Sequence, residues 1–88
     1  MYEIRFSRKA AKFYQKTDTL TAKRLNLAFA KLSEDPAKLR NVKPLVGVLE
    51  GSFRMRIGDT RIIYSVNDED KIVYVEVIGS RGNVYKKW

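Results

Sequence analysis

The residues most suited to chemistry lie in Gly51-Ser52-Phe53-Arg54-Met55-Arg56-Ile57-Gly58-Asp59-Thr60-Arg61-Ile62-Ile63-Tyr64. Side chains alternate faces along a strand, so Phe53, Met55 and Ile57 share one face and Arg54 and Arg56 take the other. With Gly58-Asp59 as a two-residue turn, Ile57 pairs with Thr60, Arg56 with Arg61, Met55 with Ile62 and Phe53 with Tyr64. Arg54, Arg56 and Arg61 then occupy one surface. Like charges across a ladder are destabilising, by up to ~1 kcal/mol, so folding alone gives no reason to gather them. A bound anion does. The guanidinium fork matches phosphate oxygens and keeps its charge at any working pH, which makes a nucleic-acid backbone the natural occupant. The plainer reading is a solvated sheet face whose arginine stems lie along it.

Further on, Gly79-Ser80-Arg81-Gly82-Asn83-Val84-Tyr85 contains two glycines that allow the chain to return Arg81 and Tyr85 over the same face. A cationic surrounding favours phenolate, which moves a tyrosine toward use as a general base, although a tyrosine so near the end is also a common packing residue. The chain has no histidine and no cysteine. The usual neutral-pH proton carrier, thiolate chemistry and the common zinc ligands are therefore missing. RNA cleavage still needs none of them, because the ribose 2′-hydroxyl can attack the adjacent phosphate. The protein must hold the groups in line, stabilise the phosphorane and manage two protons. Arg54, Arg56, Arg61 and Arg81 can supply charge and Tyr85 can move a proton; no metal or other cofactor is expected.

These residues need a scaffold, and 88 residues with 44% hydrophobic content suffice for one domain over residues 1–88. Eighteen basic against ten acidic residues give a net charge of +8, which attracts polyanions. No apolar run reaches membrane-spanning length and the N-terminus lacks the order of a signal peptide, so a cytoplasmic location is expected. Tyr2 to Phe6 alternates as a strand and meets the cap residue Ser7. Ala10, Phe13 and Tyr14 then mark a short helix over 8–16, with Lys9, Lys12 and Lys16 toward solvent. After Thr17-Asp18-Thr19, the stripe Ala22, Leu25, Ala28, Phe29 and Leu32 predicts a second helix, stopped by Asp35-Pro36. Ala37 to Val48 reads as a basic connecting loop. Strands follow at 53–57, 60–66 and 71–78, the last two joined by Asn67-Asp68-Glu69-Asp70. The order predicts an α+β fold, an N-terminal strand and two helices packed on one face of an antiparallel β-sheet meander. Lys9, Lys12, Lys16, Lys23 and Arg24 on the helices are further RNA-binding candidates, each also consistent with an ordinary solvated helix face.

Leu49-Glu50-Gly51, Phe53 to Asp59 and Arg61 to Tyr64 together resemble the central signature of the RelE/ParE toxin superfamily. Ile78 to Tyr85 resembles its closing motif, and Tyr2 to Ser7 and Leu32 to Pro36 match in kind. The resemblance implies a RelE-type toxin of a type II toxin–antitoxin pair, a metal-independent endoribonuclease that cuts messenger RNA on the ribosome. It implies a cognate acidic antitoxin in a hetero-oligomer, with ribosome and messenger RNA as the other partners and no membrane role. Residue by residue, the strand pair maps to Arg54 and Arg56, the transition-state arginine to Arg61, the leaving-group arginine to Arg81 and the terminal tyrosine to Tyr85. Both strand-pair positions are arginine here, where lysine is frequent, and arginine cannot shuttle a proton. Glu76 is a second departure: pairing Val66 with Lys71 would set it across from Arg61 as an ion-pair partner, and a one-residue slip would move it to the other face. Two other functions share these features, a ParE-type gyrase inhibitor and a non-catalytic basic binding module.

Overall fold

Ser7 joins the first strand to the first helix. The computed structural model describes residues 1–36, 42–44 and 51–80. Strand β1 spans Glu3–Phe6 and helix α1 spans Arg8–Lys16, with the Ser7 hydroxyl oxygen accepting from the Ala10 N–H at 3.1 Å. Helix α2 spans Thr19–Glu34 and is capped by Asp18, whose carboxylate accepts from the Thr21 N–H at 3.3 Å. Hydrogen bonds from Thr21, first its side chain and then its N–H, hold the Asp18 carboxyl below the usual carboxylate range. The helical spacing of apolar residues does what it implies: Leu25, Ala28 and Leu32 are buried and Phe29 packs at their margin.

Among the described residues four strands follow: β2 (Val42–Pro44), β3 (Ser52–Ile57), β4 (Thr60–Asn67) and β5 (Ile72–Ser80). Sheet order is β1-β5-β4-β3-β2, with β1 parallel to β5 and the other neighbours antiparallel. The α+β arrangement with helices on one sheet face is therefore present, and the sheet is mixed. One correction concerns the expected loop from Ala37 to Val48, because its residues Val42–Pro44 pair with Phe53, Arg54 and Met55. Three residues ending in proline show no period of their own. They become a strand because β3 offers an open edge, and an edge is where proline is tolerated. The other positions of that loop lie outside the described residues.

Met55, Ile62, Tyr64, Val73, Val75 and Ile78 line the helix-facing side of the sheet and meet Ala10, Leu25, Ala28 and Leu32. Tyr64 is wholly buried; its ring stacks on Phe53 at 5.6 Å between centroids and its hydroxyl donates to the Pro36 carbonyl. That bond ties the end of α2 to the sheet centre.

Burial, then the nearby Asp35 charge, pushes the Tyr64 phenol well above its ordinary range. An unfolded tyrosine ionises near pH ~10, so above that value the unfolded state loses protons that the folded state keeps. The folded state's advantage is complete below about pH 10 and falls as pH rises toward the folded value. Urea midpoints measured from about pH 9 to 11 should fall more steeply for the native chain than for Tyr64→Phe; parallel curves would contradict this.

Candidate functional site

The β3–β4 hairpin sets the site. Its pairs are Ile57↔Thr60, Arg56↔Arg61, Met55↔Ile62, Arg54↔Ile63 and Phe53↔Tyr64. Gly58 begins the turn with φ 56, the left-handed conformation that a two-residue hairpin asks of its first central residue. Met55 is buried under the helices, and strand alternation sends Arg54, Arg56 and Arg61 to the opposite surface. Arg56 is exposed and Arg54 and Arg61 are half-buried. Arg56, Gly58, Asp59 and Arg61 line a recess of about 320 Å³.

Two further cations join this end of the molecule. Lys43 of β2 is paired with Arg54, which extends the cationic surface to the sheet edge. Sequence reasoning missed it because Lys43 lies in the supposed loop; its only signal was a basic residue in a basic segment. Arg24 of α2 was expected as helix footing, yet its Nη1 lies 3.4 Å from where a Cβ on Gly58 would stand, so its guanidinium sits against the hairpin turn. Lys9, Lys12 and Lys16 are brought together elsewhere, on a cleft between α1 and β5. Lys23 is exposed on α2. Arg81 and Tyr85 lie outside the described residues.

The expected opposition of Glu76 and Arg61 is replaced by Arg61↔Gly79. Two local features shift the register. The second hairpin closes between Asn67 and Ile72, not Val66 and Lys71, with Lys71 in the left-handed region at φ 56. Asn67 supports this displaced turn, its side-chain oxygen accepting from the Asp70 N–H at 3.0 Å. A bulge then falls between Ile63 and Tyr64, which pair with Val77 and Val75 and leave Glu76 as the extra residue. Its carboxylate accepts from the Ser52 hydroxyl at 3.1 Å, across β4, on the arginine side of the sheet.

Ser7 stabilises that bulge. Its N–H donates to the Val75 carbonyl at 2.9 Å and its hydroxyl donates to the Glu76 carbonyl at 2.5 Å. Removing the hydroxyl costs the α1 cap, ~1 kcal/mol, and leaves a part-buried carbonyl without its donor, ~1–3 kcal/mol. Ser7→Ala should therefore lower stability by about 2 kcal/mol or more in urea unfolding. Ser7→Asp can cap the helix but has no proton for the carbonyl, so it should recover at most the cap portion; full recovery would mean that the bond to the bulge contributes nothing.

Ile63 is wholly buried although it belongs to the arginine side and not to the helix-side core. That side is thus enclosed at its centre and cationic toward the hairpin turn. Arginines fixed to adjacent strands, rather than on flexible loops, can hold a phosphate without losing much orientational freedom on binding.

Among the described residues, two helices pack on one face of a five-stranded mixed sheet, and arginines on its strands occupy the other. Residues 4–85 match the family model described as ParE toxin of type II toxin–antitoxin system, parDE. Toxin RelG of Mycobacterium tuberculosis is 32% identical over 87 residues, covering 98% of each chain. Among solved structures, the toxin–antitoxin complex RelBE2 from Mycobacterium tuberculosis matches at 33% identity with TM-score 0.76, over 91% of this chain and 98% of that one. The archaeal RelE–RelB complex from Pyrococcus horikoshii matches at 27% identity with TM-score 0.80, over 94% and 98%. The isolated Escherichia coli RelE toxin, at 24% identity and TM-score 0.78 over 99% and 94%, shares the fold. The chain belongs to the RelE/ParE family and is a toxin of a type II toxin–antitoxin system.

Proposed function

We propose that this toxin is a ribosome-dependent endoribonuclease that cuts messenger RNA in the cytoplasm without a metal. The observation that carries the reading is the direct opposition of Arg56 and Arg61, with Arg54 and Lys43 beside them, on the sheet surface facing away from the helices. A phosphodiester carries negative charge that increases as the phosphorane forms, and fixed guanidinium groups favour that increase. The 2′-oxygen attacks phosphorus as its proton leaves, and the P–O5′ bond breaks as the 5′-oxygen gains a proton. The products are a 2′,3′-cyclic phosphate and a 5′-hydroxyl.

In this mechanism Arg54 and Arg56 hold the RNA backbone and Arg61 stabilises the transition state. Arg81 neutralises the leaving oxygen, and Tyr85 transfers a proton that no arginine can accept. Lys23 and Arg24 give footing on a larger RNA surface. A cognate acidic antitoxin, in a hetero-oligomer with the toxin, holds the activity in check. The solved relatives named as RelBE2 and RelE–RelB complexes support that part of the reading.

The test is controlled expression followed by primer extension on translated messages. Native toxin should produce ribosome-dependent ends, and Arg81→Ala and Tyr85→Phe should each suppress them. Intact messages with arrested growth and damaged DNA would instead identify a gyrase-directed toxin, the activity associated with the ParE branch whose name the family model carries. Toxicity unchanged in both variants, without RNA ends, would identify a binding module.

A further inference from the structure

Glu76 is the residue of β5 left over by the bulge, and its side chain does not stay over its own strand. The carboxylate reaches across β4 to the Ser52 hydroxyl at 3.1 Å, on the surface that carries Arg54, Arg56 and Arg61. Ser52 is only 8% exposed and Ile63, on the same surface, is wholly buried, so the carboxylate is held at a fixed place. Ser7 fixes the backbone there as well, through its bonds to the Val75 and Glu76 carbonyls. Among the described residues, the charged groups that share this face on β2, β3 and β4 are the cations Lys43, Arg54, Arg56 and Arg61. Glu3 and Arg5 of β1 pair with each other at 2.6 Å, and Asp59 lies on the hairpin turn.

We propose that Glu76 is the general base of the cleavage step, the group that takes the proton from the attacking 2′-hydroxyl. The inference rests on the endoribonuclease reading and deepens it. Cleavage moves two protons, and an arginine can accept neither. As the O2′–P bond forms, the 2′-proton passes to the Glu76 carboxylate. As the P–O5′ bond breaks, Tyr85 delivers a proton to the 5′-oxygen, and both side chains return to their starting states by exchange with water. The spacing agrees. An attacking oxygen stands about 3–3.5 Å from phosphorus and a base within about 2.6–3.2 Å of that oxygen, roughly 6 Å in all. Ser52 and Arg54 are one same-face step apart on β3, about 6–7 Å. A phosphate held at Arg54 therefore brings its 2′-hydroxyl neighbour within reach of a carboxylate held at Ser52. Asp59 is the rival acid, since it lines the recess with Arg56 and Arg61. It is exposed on a turn, however, whereas a base must keep its position.

The test is single-turnover cleavage of a ribosome-bound message from about pH 6 to 9, with native toxin, Glu76→Gln, Ser52→Ala and Asp59→Asn. Glu69→Gln, exposed in the β4–β5 turn, serves as the control. Glutamine keeps the side-chain shape and can still accept from Ser52, but it cannot take the proton. Glu76→Gln should therefore lose roughly 10²-fold or more with ribosome binding unchanged. Its residual rate should climb with pH more steeply than the native rate, because hydroxide then removes the proton. Ser52→Ala loosens the carboxylate without removing it and should lose less than about tenfold, and Glu69→Gln should match the native toxin. Undiminished cleavage by Glu76→Gln, equal losses from Glu76→Gln and Ser52→Ala, parallel pH profiles, or a loss confined to Asp59→Asn would each overturn the proposal and leave the endoribonuclease reading standing. Absence of cuts by the native toxin would overturn both. Circular dichroism on every variant separates a lost base from a lost fold.

Discussion

Arg61→Ala is expected to lower RNA cleavage on the ribosome by roughly 10²–10³-fold while leaving the fold intact. Arg61 is the arginine of β4 directly across from Arg56 and beside the hairpin turn, with Gly79 as its neighbour on β5. Gly79 carries no side chain that could pair with the guanidinium. Its helix-facing neighbours Thr60 and Ile62 are unaffected by the substitution, and relief of like-charge opposition at Arg56 should offset any lost packing. For a charge that acts chiefly on the transition state, the expected result is a fall in single-turnover cleavage with ribosome binding reduced far less. Arg61→Lys should remain strongly impaired, since an ammonium lacks the planar fork. Undiminished cleavage by Arg61→Ala would remove this residue from the mechanism. A parallel loss of binding and cleavage would make it an RNA-holding residue only.

The largest expected change in stability comes from Tyr64→Ala, at about 3–5 kcal/mol. The side chain is 0% exposed, stacks on Phe53 at 5.6 Å and donates to the Pro36 carbonyl from the middle of the central strand. Alanine removes the apolar contact, opens a cavity and abandons the carbonyl together. Against a typical total of about 5–15 kcal/mol, that brings the domain close to unfolding. Tyr64→Phe separates the contributions, because it keeps the ring and loses only the hydroxyl bond, and should cost about 1–3 kcal/mol. Urea unfolding followed by circular dichroism measures both. A phenylalanine variant as stable as the native chain would show that the tie to Pro36 is energetically idle.

The two variants also distinguish site from scaffold. Tyr64 and Arg61 lie three residues apart on β4 and face opposite sides of the sheet. Tyr64→Phe should therefore unfold more readily but cut RNA normally under conditions where it is folded. Arg61→Ala should do the reverse.

The sequence by itself determined the elements built from strong local signals. Helices α1 and α2 run where Ser7, Asp18 and the 3.6-residue spacing put them. The β3–β4 register was equally legible, because a two-residue Gly58-Asp59 turn allows one pairing, and that pairing sets Arg54, Arg56 and Arg61 on one surface. Tertiary structure decided what local signals left open. A four-residue turn does not fix its own register, so the β4–β5 alignment followed from the left-handed Lys71 and from the bulge at Glu76. Ser7 helps hold that bulge from 69 positions away in the chain, a partnership invisible to periodicity. Likewise, Val42–Pro44 became a strand only because β3 had a free edge, and Lys43 reached the arginine side with it. Arg24 joined the hairpin turn because packing of α2 brought them together. Apart from the local turn at Lys71, the deciding interaction in each case is between residues distant in sequence, whose hydrogen bonds and contacts exist only once the sheet and helices have assembled.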